Sequence, residues 1–143
     1  MAAPLTVLDT MVAVGAAIGC RDASSALVVR AVATGDVRLA VSDEGYRELL
    51  KAMSYEDVRS KIKDPVQAFE VALDIETMGF FHYPRRYDWP TLPDPGDRWV
   101  LDLAYESKAE YIVTRDPHFL DNARSLERLG FTVLTPAQLL RRL

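Results

Sequence analysis

The chain has 143 residues, of which 49% are hydrophobic and 27% charged, a composition typical of a globular protein with one sizeable core. Its net charge of −4 argues against a non-specific polyanion binder, because phosphate recognition usually needs a basic surface, unless some of the acids hold metal ions. The apolar run 7–18 is interrupted by Asp9, is too short to span a bilayer, and has no basic residues before it. We therefore expect a cytoplasmic protein of one domain, residues 1–143, without a membrane partner.

Apolar strands alternate with helical patterns along the first half of the chain. The strands are indicated by short continuous apolar runs, and the helices by polar caps that precede apolar residues at helical spacing. In chain order the predicted elements are a strand at 5–9, a helix from Asp22 or Ser24 to Ala33, a strand at 37–42, a helix at 42–53 capped by Ser42 or Asp43, a helix at 64–78 and a short strand at 80–82.

The second half starts with a segment rich in proline and aromatic residues, 83–96, which predicts an extended loop. The elements predicted after it are a helix at 97–107, a strand at 110–114, a helical stretch at 119–129, a strand at 131–135 and a last helix at 136–143. Strands of nearly continuous apolar sequence that alternate with helices indicate a parallel sheet covered on both faces. The fold class is therefore α/β.

Four acids lie close to strand ends or helix starts. Asp9 ends the first strand, Asp97 begins the helix before the strand 110–114, and Asp116 follows that strand, while Glu48 lies one to two turns into the helix 42–53. Ligands of open parallel sheets bind outside the carboxyl ends of the strands, so these carboxylates could converge there. Their mutual repulsion would require cations, and oxygen ligands suit Mg²⁺ or Mn²⁺.

Each acid also has a simpler interpretation when it is considered alone. Asp97 is acceptable as a helix N-cap, Asp116 before Pro117 is a common turn pair, and Glu48 could be a solvated surface residue. Asp9 is harder to explain in this way. An acid at the end of a buried strand is costly unless it is paired, hydrogen-bonded or bound to a metal ion.

Four sequence motifs, in order along nearly the whole chain, resemble the PIN domain family, and within it the bacterial toxin components of toxin–antitoxin systems. They are "VLDTMV", "SDEGYRELL", "DPGDRWVLDLAYESKAEYIVTRDPHFL" and "LTPAQLL". None is specific alone, but together they are in register with the family. The resemblance implies a three-layer α/β/α sandwich with a mainly parallel central sheet, and a metal-dependent ribonuclease site made of acids.

Carried over by position, the four acids of the family fall on Asp9, Glu48, Asp97 and Asp116. The resemblance implies that Asp9, Asp97 and Asp116 hold one or two Mg²⁺ or Mn²⁺ ions, which activate water for hydrolysis of an RNA phosphodiester, and that Glu48 acts through water or as a base. Asp97 matches the family spacing better than Asp94 or Asp102, and Glu48 better than Glu44.

Neighbouring positions add polar groups and two departures from the family pattern. The hydroxyls of Thr10 and Thr114 fall where the family often has a polar residue near the metal site. Met11 replaces the asparagine that is usual in the first motif and commonly orients the site, which puts the efficiency of catalysis in doubt. His118 occupies a position, two residues after Asp116, where a further acid is often found.

Positive charge near the acids would be needed for RNA binding. Arg85 and Arg86 stand among the aromatic residues Tyr83, Tyr87 and Trp89, a combination found in contacts to single-stranded RNA. The same aromatic residues could instead pack on the domain or on a dimer partner. Arg115 and His118 are further candidates for phosphate contacts. The resemblance also implies a homodimer and a cognate antitoxin protein that covers the active site.

Two other functions stay open at this point. The first is a PIN-like module, inactive or weak in catalysis because of Met11, that binds RNA or a protein partner. The second is a phosphate-handling α/β enzyme of the phosphatase or receiver type. That class needs a nucleophilic aspartate with a second acid two residues on, and Thr10 and Met11 follow Asp9 instead.

Overall fold

The computed structural model describes residues 2–19, 24–90 and 95–143, so the alternative cap Asp22 and the alternative acid Asp94 lie outside the described residues. The strands within these ranges are β1 Leu5–Leu8, β2 Arg38–Ser42, β3 Phe80–His82, β4 Tyr111–Val113 and β5 Val133–Leu134. The helices are α1 Thr10–Ile18, α2 Ser24–Thr34, α3 Asp43–Ser54, α4 Glu56–Arg59, α5 Pro65–Met78, α6 Arg98–Ser107, α7 Pro117–Leu120, α8 Ala123–Arg128 and α9 Pro136–Arg141, with a short 3₁₀ turn at Pro95–Asp97.

In the described ranges the five strands form one parallel sheet in the order β3-β2-β1-β4-β5. Alternate side chains of the strands enter two separate cores. Val7 and Ile112 pack with residues of α6, α7 and α8, whereas Leu8 and Val113 pack with α1, α2, α3, α5 and α9. Because alternate side chains of each strand point to opposite faces, helices cover both faces of the sheet. This arrangement confirms the α/β/α sandwich.

The strand order reverses between β1 and β4. The chain runs outward from β1 to β2 and β3, and α6 then carries it back across the sheet to β4 on the other side of β1. The carboxyl ends of β1 and β4 adjoin, since Leu8 pairs with Val113. A reversal of this kind leaves a crevice outside the two carboxyl ends, the usual ligand position in α/β sheets.

Helix α1 was not predicted from the sequence. Its segment "TMVAVGAAI" lacks a polar face, and Val12, Val14 and Ala16 are fully buried, so no helical period distinguishes it from a buried strand. Among the described residues, no helix combines the length and the apolarity that crossing a membrane requires.

Two other predictions differ from the structure. The helical stretch 119–129 is two short helices, α7 and α8, because the chain turns at Asp121 and Asn122, and α7 begins at Pro117, capped by Asp116. Strand β5 covers two residues rather than 131–135, since Phe131 belongs to the core below α8 and Thr135 caps α9. Helix α4 was not predicted either.

A glycine sets the distance between α3 and α6. A Cβ atom at Gly45 would lie 2.5 Å from the Cζ3 atom of Trp99, a buried residue in the first turn of α6. The absence of a side chain therefore lets α3 approach α6. This contact explains a glycine in the first turn of a helix, where it otherwise costs stability.

We expect Gly45→Ala to destabilise the protein by about 1–3 kcal/mol, because the added methyl group would overpack the contact with Trp99. Urea denaturation of the wild type and the variant measures the difference. In a Trp99→Leu background, where the ring is absent, the same substitution should cost clearly less. Equal stability of Gly45→Ala and wild type would contradict the contact.

Candidate metal centre

Asp9 stands at the carboxyl end of β1, the central strand of the described sheet. Its backbone N–H donates to the carbonyl of Val113 (2.9 Å), and its Oδ1 accepts from the N–H of Thr10 at the start of α1 (2.8 Å). The residue is 7% exposed. Because Val7, two residues earlier, packs against α6, the alternation of the strand directs Asp9 toward the same side of the sheet.

Thr114 connects the first acid to the fourth. Its fully buried hydroxyl donates to Oδ2 of Asp9 (2.8 Å) and accepts from the backbone N–H of Asp116 (2.9 Å). One side chain thus fixes the loop after β4 relative to the end of β1. Thr114, which was expected near the site, contacts both Asp9 and the backbone of Asp116.

Asp97 reaches the same crevice from α6. It precedes the helix, but its carboxylate makes no capping hydrogen bond to the described first turn. Helix capping therefore does not explain the presence of Asp97. Asp116 differs in this respect, because its Oδ1 accepts from the N–H of His118 at the start of α7 (2.9 Å). The Asp97 side chain is only 18% exposed.

Three side chains converge in this crevice. One ligand atom from each of Asp97, Asp116 and His118 lies within 4.8 Å of the other two. The Nδ1 atom of His118 is 3.8 Å from Oδ2 of Asp97 and 3.6 Å from Oδ1 of Asp116. The predicted convergence of the third and fourth acids is therefore present, and His118, expected only as a phosphate contact, lies beside them.

Burial raises the pKa of Asp9 above its ordinary value of 3.8. The negative charge of Asp116 raises it further, while the hydrogen bonds from Thr114 and Thr10 act in the opposite direction. A buried carboxylate whose charge is opposed by a neighbouring carboxylate is a group that a cation would stabilise.

Glu48 is exposed on α3 and is not one of the three side chains whose ligand atoms lie within 4.8 Å of one another. It follows Gly45 by one helical turn, and Gly45 faces Trp99 of α6. The structure does not bring Glu48 into the cluster of Asp97, Asp116 and His118. Met11, in the first turn of α1, is 55% exposed.

The segment with the two arginines lies against the far end of α6. The backbone N–H of Arg85 donates to Glu106 (3.2 Å), which is about 13 Å along the helix from Asp97. The rings of Tyr87 and Trp89 pack on Tyr105. The aromatic residues of this segment thus pack on the domain, apart from Tyr83, which is 79% exposed.

Buried Asp102 holds this segment in place. Its Oδ1 accepts from the indole N–H of Trp89 (2.7 Å) and from the backbone N–H of Tyr87 (3.1 Å). The carboxylate of Asp102 is thereby used for structure, which agrees with the preference for Asp97 as the third acid of the site. Arg115 extends away in another direction and donates to the hydroxyl of Ser24 at the start of α2 (2.8 Å).

The donor set of the crevice suits a divalent cation. Two carboxylates and one imidazole lie within 4.8 Å of one another. The buried Asp9 is not one of these three groups, but Thr114 connects it by hydrogen bonds to the backbone of Asp116. Carboxylate oxygens suit Mg²⁺ and Mn²⁺, and imidazole nitrogen is a common ligand of transition metals. Asp97 and Asp116 are the acids that would hold the ion, because Asp9 is not one of the three clustered side chains.

We expect Asp9→Asn to stabilise the metal-free protein at neutral pH. Because the folded state binds the Asp9 proton more tightly than the unfolded chain does, ionisation of Asp9 lowers the stability of the wild type as pH rises above 3.8. The neutral amide avoids this loss. Denaturation curves with a chelator should show a higher free energy of unfolding for Asp9→Asn, and a difference that vanishes in acid.

The matched control is Asp57→Asn, an exposed acid on α4, which should leave stability unchanged at either pH. The amide NH₂ of asparagine cannot accept one of the two hydrogen bonds from Thr10 and Thr114, so the decisive quantity is the change with pH. If the difference in stability between Asp9→Asn and the wild type were the same in acid and at neutral pH, then the crevice would not penalise the charge of Asp9.

A family model described as "PIN domain" matches residues 6–118, well over half of the chain. The matched span runs from β1 to His118 and contains all four acids that the sequence motifs indicated. A search of curated proteins gives no match. With the reversal of strand order, the acids at the carboxyl edge and this match taken together, the chain belongs to the PIN domain family.

Proposed function

We propose that the chain is a metal-dependent endoribonuclease, the toxin of a toxin–antitoxin pair, in which residues 1–143 form one PIN-like domain. PIN domains are in general nucleases that use divalent metal ions. The observation that carries the proposal is the convergence of Asp97 and Asp116 beside the buried Asp9, at the point where the strand order reverses. The substrate is RNA, whose phosphodiester bond is hydrolysed.

The acids have different proposed roles, which follow from how deeply each is buried. The side chains of Asp97 and Asp116 are 18% and 26% exposed, although Oδ2 of Asp97 is itself buried. Asp9 is less exposed and is held by Thr114 and Thr10, so it supplies fixed negative charge behind them. A bound Mg²⁺ or Mn²⁺ ion supplies Lewis acidity and offsets charge on the phosphate during hydrolysis.

Glu48 is proposed as the second acid of the site. The support for this role is that Glu48 follows Gly45 by one helical turn, and Gly45 faces Trp99 in the first turn of α6, the helix that Asp97 precedes. Because the residue is exposed, it is suited to act through water or as a base toward the attacking water rather than as a buried ligand. Thr10 supports the site through its backbone contact with Asp9.

Arg115 is the proposed phosphate contact closest in sequence to the acids. It follows Thr114 directly in the chain, and its guanidinium donates to the hydroxyl of Ser24 at the start of α2. Arg85 and Arg86 lie farther away, at the other end of α6, and their proposed role is contact with a more distant part of the RNA.

We expect the purified protein to cleave single-stranded RNA when Mn²⁺ or Mg²⁺ is present, and to lose activity in a chelator. Asp97→Asn and Asp116→Asn should each reduce the rate by about 100-fold or more, because each removes a metal ligand. The cleavage of a labelled RNA, followed on a gel, measures the rate. Full activity of both variants would contradict the proposed site.

Matched controls sharpen this assay. Asp57→Asn removes an exposed acid far along the chain from the crevice and should leave the rate unchanged. Glu48→Gln and Glu44→Gln remove neighbouring acids from the same helix, and only Glu48→Gln should slow cleavage. If only Glu44→Gln slowed cleavage, Glu44 rather than Glu48 would be the second acid of the site.

The alternative is a PIN-like module that binds RNA or a protein partner without cleaving it. The exposed Met11 in the first turn of α1 favours this alternative, since it stands in place of the asparagine usual in the family. Binding of RNA without cleavage at any metal concentration would support the module and exclude the nuclease.

A homodimer and a cognate antitoxin are the proposed protein partners. Val66, Phe69 and Leu73 form an exposed apolar row along one face of α5, with Val66 and Phe69 each 66% exposed. A second copy would remove this row from water, which is favourable. Sedimentation of the wild type and of Phe69→Glu tests the dimer, which the charge should dissociate.

We expect expression of the protein in bacteria without an antitoxin to slow growth, because uncontrolled RNA cleavage stops protein synthesis. Asp97→Ala should relieve the effect at an equal protein level, and Asp57→Asn should not. Growth curves with quantified expression provide the measurement. Equal toxicity of Asp97→Ala would count against a nuclease toxin.

A further inference from the structure

His118 adds a nitrogen donor next to the acids of the site. Its Nδ1 atom lies 3.6 Å from Oδ1 of Asp116 and 3.8 Å from Oδ2 of Asp97. Both separations are longer than a hydrogen bond between nitrogen and oxygen. The imidazole therefore faces two carboxylate oxygens without being hydrogen-bonded to either of these two atoms.

These separations match donors that share one metal ion. Ligands at about 2.1 Å from an octahedral ion lie about 3.0 Å apart when they are neighbours and about 4.2 Å apart when they are opposite. The two distances from His118 fall between these limits, and all three donors lie within 4.8 Å of one another. Small side-chain adjustments would bring the three to a common ion.

The backbone of His118 is fixed, while its ring is free to adjust. The N–H of His118 donates to Oδ1 of Asp116 (2.9 Å), and its carbonyl accepts from the side-chain amide of Asn122 (2.7 Å). The side chain is 62% exposed. Asp116 thus positions the histidine next to itself, and the exposed ring can rotate without disturbing the core.

We propose that His118 is a nitrogen ligand of the metal ion, and that it shifts the preference of the site from Mg²⁺ toward transition-metal ions such as Mn²⁺. This inference rests on the proposed function, because it concerns the ion held by Asp97 and Asp116. Mg²⁺ strongly prefers oxygen ligands, whereas imidazole nitrogen binds first-row transition metals well. A histidine where the family often has an acid therefore changes metal selectivity.

A phosphate contact is the competing role for His118. In that role the imidazole would meet RNA and would have no bond to the metal ion. The two roles differ in the absence of RNA, where only a metal ligand couples magnetically to a paramagnetic ion. An experiment on the RNA-free protein therefore separates them.

The test is pulsed EPR of Mn²⁺ bound to the RNA-free wild-type protein. We expect a nitrogen hyperfine coupling in the wild type that is lost in His118→Ala. The coupling should remain in His82→Gln, which replaces the other of the two histidines, on β3. Bound Mn²⁺ without nitrogen coupling, or a coupling that survives His118→Ala, would overturn the proposal.

Metal titrations by calorimetry give a second readout. His118→Ala should weaken Mn²⁺ binding by about tenfold or more and change Mg²⁺ binding less. His118→Asp restores an oxygen donor, so the ratio of Mn²⁺ to Mg²⁺ affinity should fall below that of the wild type. An unchanged ratio in both variants would also overturn the proposal.

The two proposals fail in distinguishable ways. If Mn²⁺ binds and Asp116→Asn abolishes the binding, but no nitrogen couples to the ion, the nuclease site stands and His118 is not its ligand. If the wild-type protein binds neither Mn²⁺ nor Mg²⁺, both proposals fail together.

Discussion

Negative charge crowded between the ends of β1 and β4 is the constraint on which the site depends. Asp9 is buried there, and both its burial and the charge of Asp116 raise its pKa. The fold holds the acids together regardless, through the Thr114 hydroxyl that bonds to Asp9 and to the backbone of Asp116. Neighbouring carboxylates that repel one another in this way are suited to a bound cation, which would reverse the sign of the local field.

The sheet and most of its helices could be predicted because each segment carried a local signal. Strand β3 was predicted with the bounds that the structure has, and α5 differs by one residue, since Asp64 caps it and Pro65 begins it. Helix α1 was missed because it is apolar on every side, so its sequence has no period. The division of 119–129 into two helices was missed, although Asp121 and Asn122, where the chain turns, are residue types that favour turns.

The sequence predicted those parts of the site whose residues are positioned by the strand order of the sheet. Asp116 follows β4, Asp97 precedes the helix that leads to β4, and the two lie together. Of the four acids expected to converge, Asp9 and Glu48 are not in this cluster. The position of His118 beside the two acids could not be predicted from the sequence, because a histidine two residues after an acid does not by itself indicate a metal site. The arginine segment was also ambiguous. Its aromatic residues pack on α6, where the buried Asp102 accepts hydrogen bonds from Tyr87 and Trp89, 15 and 13 residues earlier in the chain.

The central claim is that the acids at this edge share a divalent ion. Crystals of the wild-type protein soaked in Mn²⁺ and measured near the manganese absorption edge test it most directly. The account predicts an anomalous-difference peak in contact with carboxylate oxygens of Asp97 and Asp116, on the side of Asp9. A crevice without such a peak in crystals that bind Mn²⁺ elsewhere would contradict it.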